Sequence, residues 1–149
     1  MFLHSKKFWL LVLVVLAALP LIGLKLLNLK AKKPERAANP STLEPCPGSP
    51  NCVCSEEGTQ PEKAAAPFEA TLPEAKAAII ATGGTITSET DSYVSATYMS
   101  KIYKFVDDVE LRADGAGKTQ IRSCSRVGYS DRGMNKKRVA AIRAALKSV

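Results

Sequence analysis

The side chains best suited to chemistry are concentrated in residues 105–138, FVDDVELRADGAGKTQIRSCSRVGYSDRGMNKKR. Asp107, Asp108 and Glu110 sit on one run, and Arg122 and Arg126 on the next. Two carboxylates in unlike environments can divide acid and base roles. Adjacent Asp107 and Asp108, however, point to opposite faces of a strand. Ser123, Ser125, Ser130 and Cys124 are potential nucleophiles, but the chain's one histidine, His4, precedes a long apolar run and offers them no base. Guanidinium groups grip carboxylates and phosphates through paired hydrogen bonds. The residue types therefore favour anion recognition, with Arg122, Ser125, Arg126, Tyr129, Asp131, Asn135 and Arg138 as the candidate ligand-binding set. No catalytic residue, cofactor or metal is assigned.

A plainer reading accounts for much of this charge. Asp108 and Glu110 share a strand face, and Arg122 and Arg126 are expected on the same face of the partner strand. Opposite charges across a hairpin stabilise by about 0.2–1 kcal/mol each. On one strand Arg122 and Arg126 stand about 13 Å apart, so a small ligand fits between them only where the chain bends. Lys136, Lys137 and Arg138 crowd the first turn of the last predicted helix, with Asn135 as its expected cap. Positive charge opposes the helix dipole there. Asp131 or Asp107 would relieve it from within, and a bound anion would relieve it from outside.

The elements that must position these groups follow from periodicity. Residues 72–81 predict a short helix, with Pro73 in its first turn and Gly83-Gly84 at its end. Residues 85–89 and 92–100 read as strands. In the second, Tyr93, Ser95, Thr97 and Met99 share one face, and Val94, Ala96 and Tyr98 the other. Residues 102–105 either continue that strand or open the next. Residues 106–114 and 119–127 alternate around Asp114-Gly115-Ala116-Gly117, a strong turn signal. Residues 136–149 place Val139, Ile142, Leu146 and Val149 at helical spacing. This predicts an α+β fold: a small antiparallel sheet with a central hairpin, flanked by a short N-terminal helix and a C-terminal amphipathic helix. One transmembrane helix precedes it. The expected partition is an anchor at 1–29, a linker and Cys-containing loop at 30–67, and the α+β domain at 68–149.

The anchor rests on residues 8–24, which are 17 consecutive positions without charge or strong polarity. Leu26, Leu27 and Leu29 extend the run past Lys25 to the ~20 residues that cross a bilayer core. A cleaved signal peptide has a shorter apolar region and a small-residue cleavage site, which 25–30 does not offer. An uncleaved single-pass anchor is expected. Its sidedness draws conflicting signals. Lys25, Lys30, Lys32, Lys33 and Arg36 outnumber Lys6 and Lys7, which favours a cytoplasmic body. The cysteines favour the periplasm or a lumen, and that is the side expected.

The net charge of +7 is unevenly spread. Residues 1–40 hold seven basic residues and one acid, residues 41–117 five basic and twelve acidic, and residues 118–149 nine basic and one acidic. Either the two later segments neutralise each other within one domain, or the basic end faces an anionic partner. Nucleic acid is not expected, because no recognised binding motif is present.

Cys46, Cys52, Cys54 and Cys124 allow three pairings. A local Cys46–Cys52 bridge across a proline-bent loop would leave Cys54 and Cys124 to pair at long range, in an oxidising compartment. Thiols, or a zinc site of unusual spacing, are the alternatives.

Three motifs in order resemble one family: Cys46-Pro47-Gly48-Ser49-Pro50-Asn51-Cys52-Val53; Phe105-Val106-Asp107-Asp108-Val109-Glu110; and Arg122-Ser123 with Ser125-Arg126-Val127-Gly128-Tyr129-Ser130-Asp131, followed by Gly133, Asn135 and Arg138. The chain is similar over residues 45–146 to the bacterial and plastid family catalogued as domain of unknown function 1499. The resemblance implies a small secreted or membrane-tethered domain without an established activity. Position 54 is usually serine in that family and position 124 usually a small residue such as alanine, so the two cysteines look like a paired gain.

The functional expectation is a non-enzymatic, membrane-anchored module of the cell envelope, binding an anionic ligand, a lipid headgroup or an acidic protein. The alternative is a small hydrolase or lipid-modifying enzyme using Asp107 or Asp131 with Arg122 or Arg126.

Overall fold

A computed structural model describes residues 6–31, 33–35 and 37–147. His4, Lys32, Arg36 and Val149 lie outside the described residues. Helix α1 (Lys6–Lys30) carries the apolar run, and its Lys6–Gly23 stretch is long and apolar enough to cross a membrane. Twenty-five helical residues rise about 38 Å, more than the ~30 Å hydrocarbon core. The described side chains of α1 are exposed or half-exposed and enter neither core cluster.

The body is α+β, as the periodicity predicts. Strand β1 (Cys52–Cys54), helix α2 (Leu72–Ala81), strands β2 (Thr85–Glu89), β3 (Tyr93–Met99), β4 (Val106–Ala113) and β5 (Thr119–Ser125), and helix α3 (Met134–Leu146) follow in order. The strands form one antiparallel sheet in the order β1-β5-β4-β3-β2.

Alternation of apolar and polar residues gives the sheet two different faces. Val53, Val94, Ala96, Val109, Leu111 and Ile121 face the helices and pack with Phe68, Leu72, Ala75, Ile79, Val139 and Ile142. This is the helix face. Helix α2 opens with the Glu74 carboxylate accepting from the backbone N–H and hydroxyl of Thr71 at 2.8 and 2.7 Å. Those bonds favour the charged form and hold Glu74 below its ordinary value. The opposite face carries Tyr93, Ser95, Asp108, Glu110, Arg122 and Cys124, and the chain before β1 lies across it. There Leu43 packs on Cys54 and Tyr93, with Cys46 at the margin. This is the leader face.

Three sequence expectations need correction. The folded body does not begin near Phe68: Leu43 is buried, and β1 pairs with β5 through Cys52↔Cys124, Val53↔Ser123 and Cys54↔Arg122. Three residues among prolines and a glycine give no strand signal of their own; β5 decides their conformation. Residues 102–105 are neither strand continuation nor strand start, because Ser100 and Phe105 close a turn through Ser100 N–H to Phe105 O at 2.8 Å. The last helix starts at Met134 rather than Lys136, so Asn135 lies inside it and does not cap it.

Candidate functional site

The dense segment divides between the two faces. On the leader face the arginines meet carboxylates in a ladder. Glu110 lies opposite Arg122 in register, with Arg122 Nη1 donating to Glu110 Oε2 at 2.8 Å and the Tyr93 hydroxyl donating to Glu110 Oε1 at 2.8 Å. Glu110 and Arg122 are both buried. Arg126 grips Asp108 in a fork, Nε to Oδ2 at 2.8 Å and Nη2 to Oδ1 at 2.7 Å. Those hydrogen bonds raise the guanidinium above its ordinary value. Arg112 forks onto Glu56 of the leader at 2.9 and 3.0 Å, and Leu43 N–H donates to the same carboxylate at 3.0 Å. The cross-strand pairing expected of Asp108, Glu110, Arg122 and Arg126 is what forms. The Arg122 Nε is buried with no hydrogen-bond partner among the described residues.

On the helix face Asn135 is wholly buried and acts as a hub. Its Nδ2 hydrogens are shared among Asn51 O at 2.9 Å, Ser125 Oγ at 3.0 Å and Asp131 Oδ2 at 2.8 Å. Its Oδ1 accepts from Ser123 Oγ at 2.6 Å and from Arg138 Nη1. Arg138 also donates to Ser123 Oγ at 3.0 Å and to Asp107 Oδ2 at 2.5 Å, and its guanidinium carbon lies 4.7 Å from the centroid of the Tyr98 ring. Burial pushes the Tyr98 phenol above its ordinary value of 10.0. Asn51 closes the network, with Nδ2 donating to Gly128 O at 2.7 Å and Oδ1 accepting from Ser49 Oγ at 2.7 Å.

Asp131 answers the positive charge at the start of α3. Its carboxylate accepts from Gly133 N–H at 2.9 Å and from Asn135 N–H at 2.6 Å, while Gly133 turns the chain at φ 77°. The internal-carboxylate expectation is met by Asp131 at this helix end, and Asp107 serves Arg138 instead.

The candidate set is therefore not one constellation. Ser125, Asp131, Asn135 and Arg138 come together, Arg122 and Arg126 lie on the other side of the sheet, and Tyr129 projects from the β5–α3 loop at 77% exposure. Sequence reasoning did not single out Asn51, Ser123 or Glu56 for the roles they play. Glu56 had no local signal, since its partner lies 56 positions away. Asn51 had a weak one: a polar residue after Pro50 and directly before a buried strand.

The sulfurs also depart from expectation. Cys46 and Cys52 are disulfide-bonded, with Cα atoms 5.6 Å apart. No Cys54–Cys124 bond forms; both residues are buried thiols outside the disulfide. Register explains this. Cys54 lies opposite Arg122, so Cys124 is its diagonal neighbour, and a diagonal separation of about 7–8 Å exceeds the usual disulfide span. Among the described residues no group of three or more His, Cys, Asp or Glu side chains is arranged to hold a metal ion.

One end of the sheet presents a different surface. The β3–β4 and β5–α3 loops meet there, joined by Arg126 N–H to Val106 O at 3.2 Å. Ile102 is 82% exposed and Met99 62%, and Tyr103 and Met134 are also exposed. Lys101 and Lys104 flank Ile102 and Tyr103 in the β3–β4 loop, and Arg132 lies in the adjoining β5–α3 loop, all exposed. The acids of this end are already engaged: Asp107 with Arg138, Asp108 with Arg126, and Asp131 with the α3 N-terminus.

No curated protein and no solved structure matches this chain. Residues 42–146 match a family described as "Protein of unknown function (DUF1499)". That match spans well over half of the chain, takes in Leu43 and β1, and ends at the last residue of α3. The chain belongs to the DUF1499 family.

Proposed function

We propose that this protein is a non-enzymatic, membrane-anchored envelope module that docks the basic, apolar-tipped end of its sheet on an anionic surface, with an anionic lipid bilayer as the favoured partner. In this reading α1 holds the chain in one membrane, and the domain stands on the oxidising, periplasmic or lumenal side. A disulfide is what such a compartment produces, and Cys46–Cys52 supports that side.

The observation that carries the proposal is that Ile102, Met99 and Tyr103 stand in the open beside Lys101 and Lys104, with Tyr129 and Arg132 on the adjoining loop, while Asp107, Asp108 and Asp131 at this end are engaged by Arg138, Arg126 and the start of α3. Exposed apolar residues rimmed by charge mark contact sites. Lysines near an anionic leaflet contribute about 1 kcal/mol each. Arg122, Arg126 and Arg138 stabilise the fold in this reading, since each guanidinium is held by an internal carboxylate. Asp107 and Asp131, the carboxylates a hydrolase would need, are engaged in the same way.

Vesicle co-sedimentation of a soluble piece, residues 31–149, tests the proposal. Both core clusters draw on residues from Leu43 onward, so the piece retains its whole core. Binding to phosphatidylglycerol-containing vesicles and weak binding to neutral ones are expected, with affinity falling as salt rises. The double substitution Lys101→Ala, Lys104→Ala is expected to weaken binding by roughly 30-fold. Equal binding to both vesicle types, or to neither, would transfer the site to an acidic protein partner or remove it.

A further inference from the structure

Three cysteines stand at one corner of the leader face in an arrangement that the disulfide alone does not explain. Cys52 is bonded to Cys46 and lies directly opposite Cys124 across the β1–β5 ladder. Ser125 N–H donates to Asn51 O at 3.0 Å and Ser55 N–H to Ile121 O at 2.9 Å. Those bonds mark Asn51↔Ser125 and Ser55↔Ile121 as hydrogen-bonded positions, and the alternation of an antiparallel ladder then makes Cys52↔Cys124 a non-hydrogen-bonded pair. Such pairs bring Cα atoms to about 4.5 Å with their side chains turned together. That separation falls within the roughly 4.4–6.8 Å that a disulfide spans. Cys52 is therefore bonded to Cys46 through the loop and faces Cys124 through the sheet at a Cα spacing that a disulfide can span.

We propose that Cys46, Cys52 and Cys124 form a thiol–disulfide exchange centre with two interchangeable pairings. The Cys124 thiolate attacks Cys52 Sγ. The Cys52–Cys124 bond forms as the Cys46–Cys52 bond breaks, and the electron pair leaves on Cys46 Sγ. The proton lost by Cys124 is returned through solvent to Cys46. One disulfide and one thiol stand on each side of the step, so no oxidant is needed. The exchange moves the thiol from a buried strand to Cys46, which is half-buried in the proline-rich loop before β1. It also staples β1 to its neighbour. A thiol in that loop can meet a small thiol, or a disulfide of another protein, by the same chemistry. Cys54 faces Arg122 beneath Leu43 and takes no part.

Peptide mapping of the full chain in detergent tests this. The protein is equilibrated with reduced and oxidised glutathione at about pH 8, where thiolate is available. It is then quenched with acid, alkylated, unfolded and digested with trypsin. Cys46, Cys52 and Cys54 fall in the peptide 37–63, and Cys124 in 123–126. The expected result is a linked pair of these peptides in roughly a tenth or more of the chains. Fragmentation should place the link at Cys52 and the alkyl group on Cys46. Recovery of 123–126 only in alkylated form, with Cys46–Cys52 intact, overturns the proposal. A link placed at Cys54 also overturns it. In Cys54→Ser the linked pair should persist at the wild-type level, and its loss from a variant with an unchanged circular dichroism spectrum counts against the exchange.

Discussion

The two faces of the β4–β5 hairpin both bury charge, but they organise it in opposite ways. The leader face stacks discrete ion pairs, Arg112 with Glu56, Arg122 with Glu110 and Arg126 with Asp108, each a separate cross-chain contact. The helix face pairs Arg138 with Asp107 but also ties that guanidinium into a shared network of amide, hydroxyl and carboxylate groups around Asn135. A ladder of pairs specifies register, because a one-residue slip would turn every charge to the wrong side of the sheet. A hub joins separate segments, here the loop at Asn51, strand β5, the turn at Gly128 and helix α3. The contrast teaches that density of polar residues is not itself a site. Both faces use that density inward, and the surface left for a partner lies at the loop end.

The largest break in this comparison is expected on the ladder. Arg122→Ala breaks the buried ion pair with Glu110 and should cost about 3–5 kcal/mol in a urea or thermal melt. The double replacement Glu110→Leu, Arg122→Met should recover most of that loss. A well-packed apolar pair often equals a buried ion pair, and Arg122 Nε lacks a hydrogen-bond partner among the described residues. A double variant as unstable as the single one would mean that the pair stabilises the fold outright rather than specifying register.

The hub should be less costly per residue but unrescuable by a single partner change. Asn135→Ala strands groups from Ser123, Arg138 and the Asn51 carbonyl, at about 1–3 kcal/mol for each group left unsatisfied after relaxation. Amide hydrogen exchange should then rise together at residues around Asn51, β5 and the start of α3. A rise confined to α3 would show that the network does not couple these segments. Smaller again is Asp131→Ala, which removes the acceptor for the N–H groups of Gly133 and Asn135 and should cost about 1 kcal/mol in the same melt.

The fold was legible where local pattern decides structure. Helix α2, strands β2 to β5, the turn at Gly115 and the faces of β3 and β4 all follow from periodicity and turn residues. Strand β1 was illegible because three residues acquire strand geometry only from β5, and Leu43 was illegible because its partners Tyr93 and Cys54 come from distant positions. The β4–β5 pairs of the ladder, Glu110 with Arg122 and Asp108 with Arg126, could be read, since cross-strand register follows from the hairpin turn, whereas Arg112 with Glu56 could not. The hub could not, because Asn51, Ser123 and Asn135 meet only after α3 folds back on the sheet. Asn135 stands directly before the Lys136-Lys137-Arg138 run and so imitated a cap. The long-range cysteine pair failed for a related reason: counting cysteines ignores which residues face each other across a ladder.

The most direct measurement compares two variants of the 31–149 domain in the same vesicle assay. Ile102→Ser with Lys101→Ala and Lys104→Ala alters only exposed side chains. It should leave stability within about 0.5 kcal/mol of the parent while abolishing sedimentation with anionic vesicles. Arg126→Lys breaks the fork onto Asp108 but keeps the charge, and should lower the melting temperature while leaving vesicle affinity unchanged. The opposite pattern, binding lost with Arg126→Lys and retained in the loop variant, would contradict the account and return the site to the hairpin arginines.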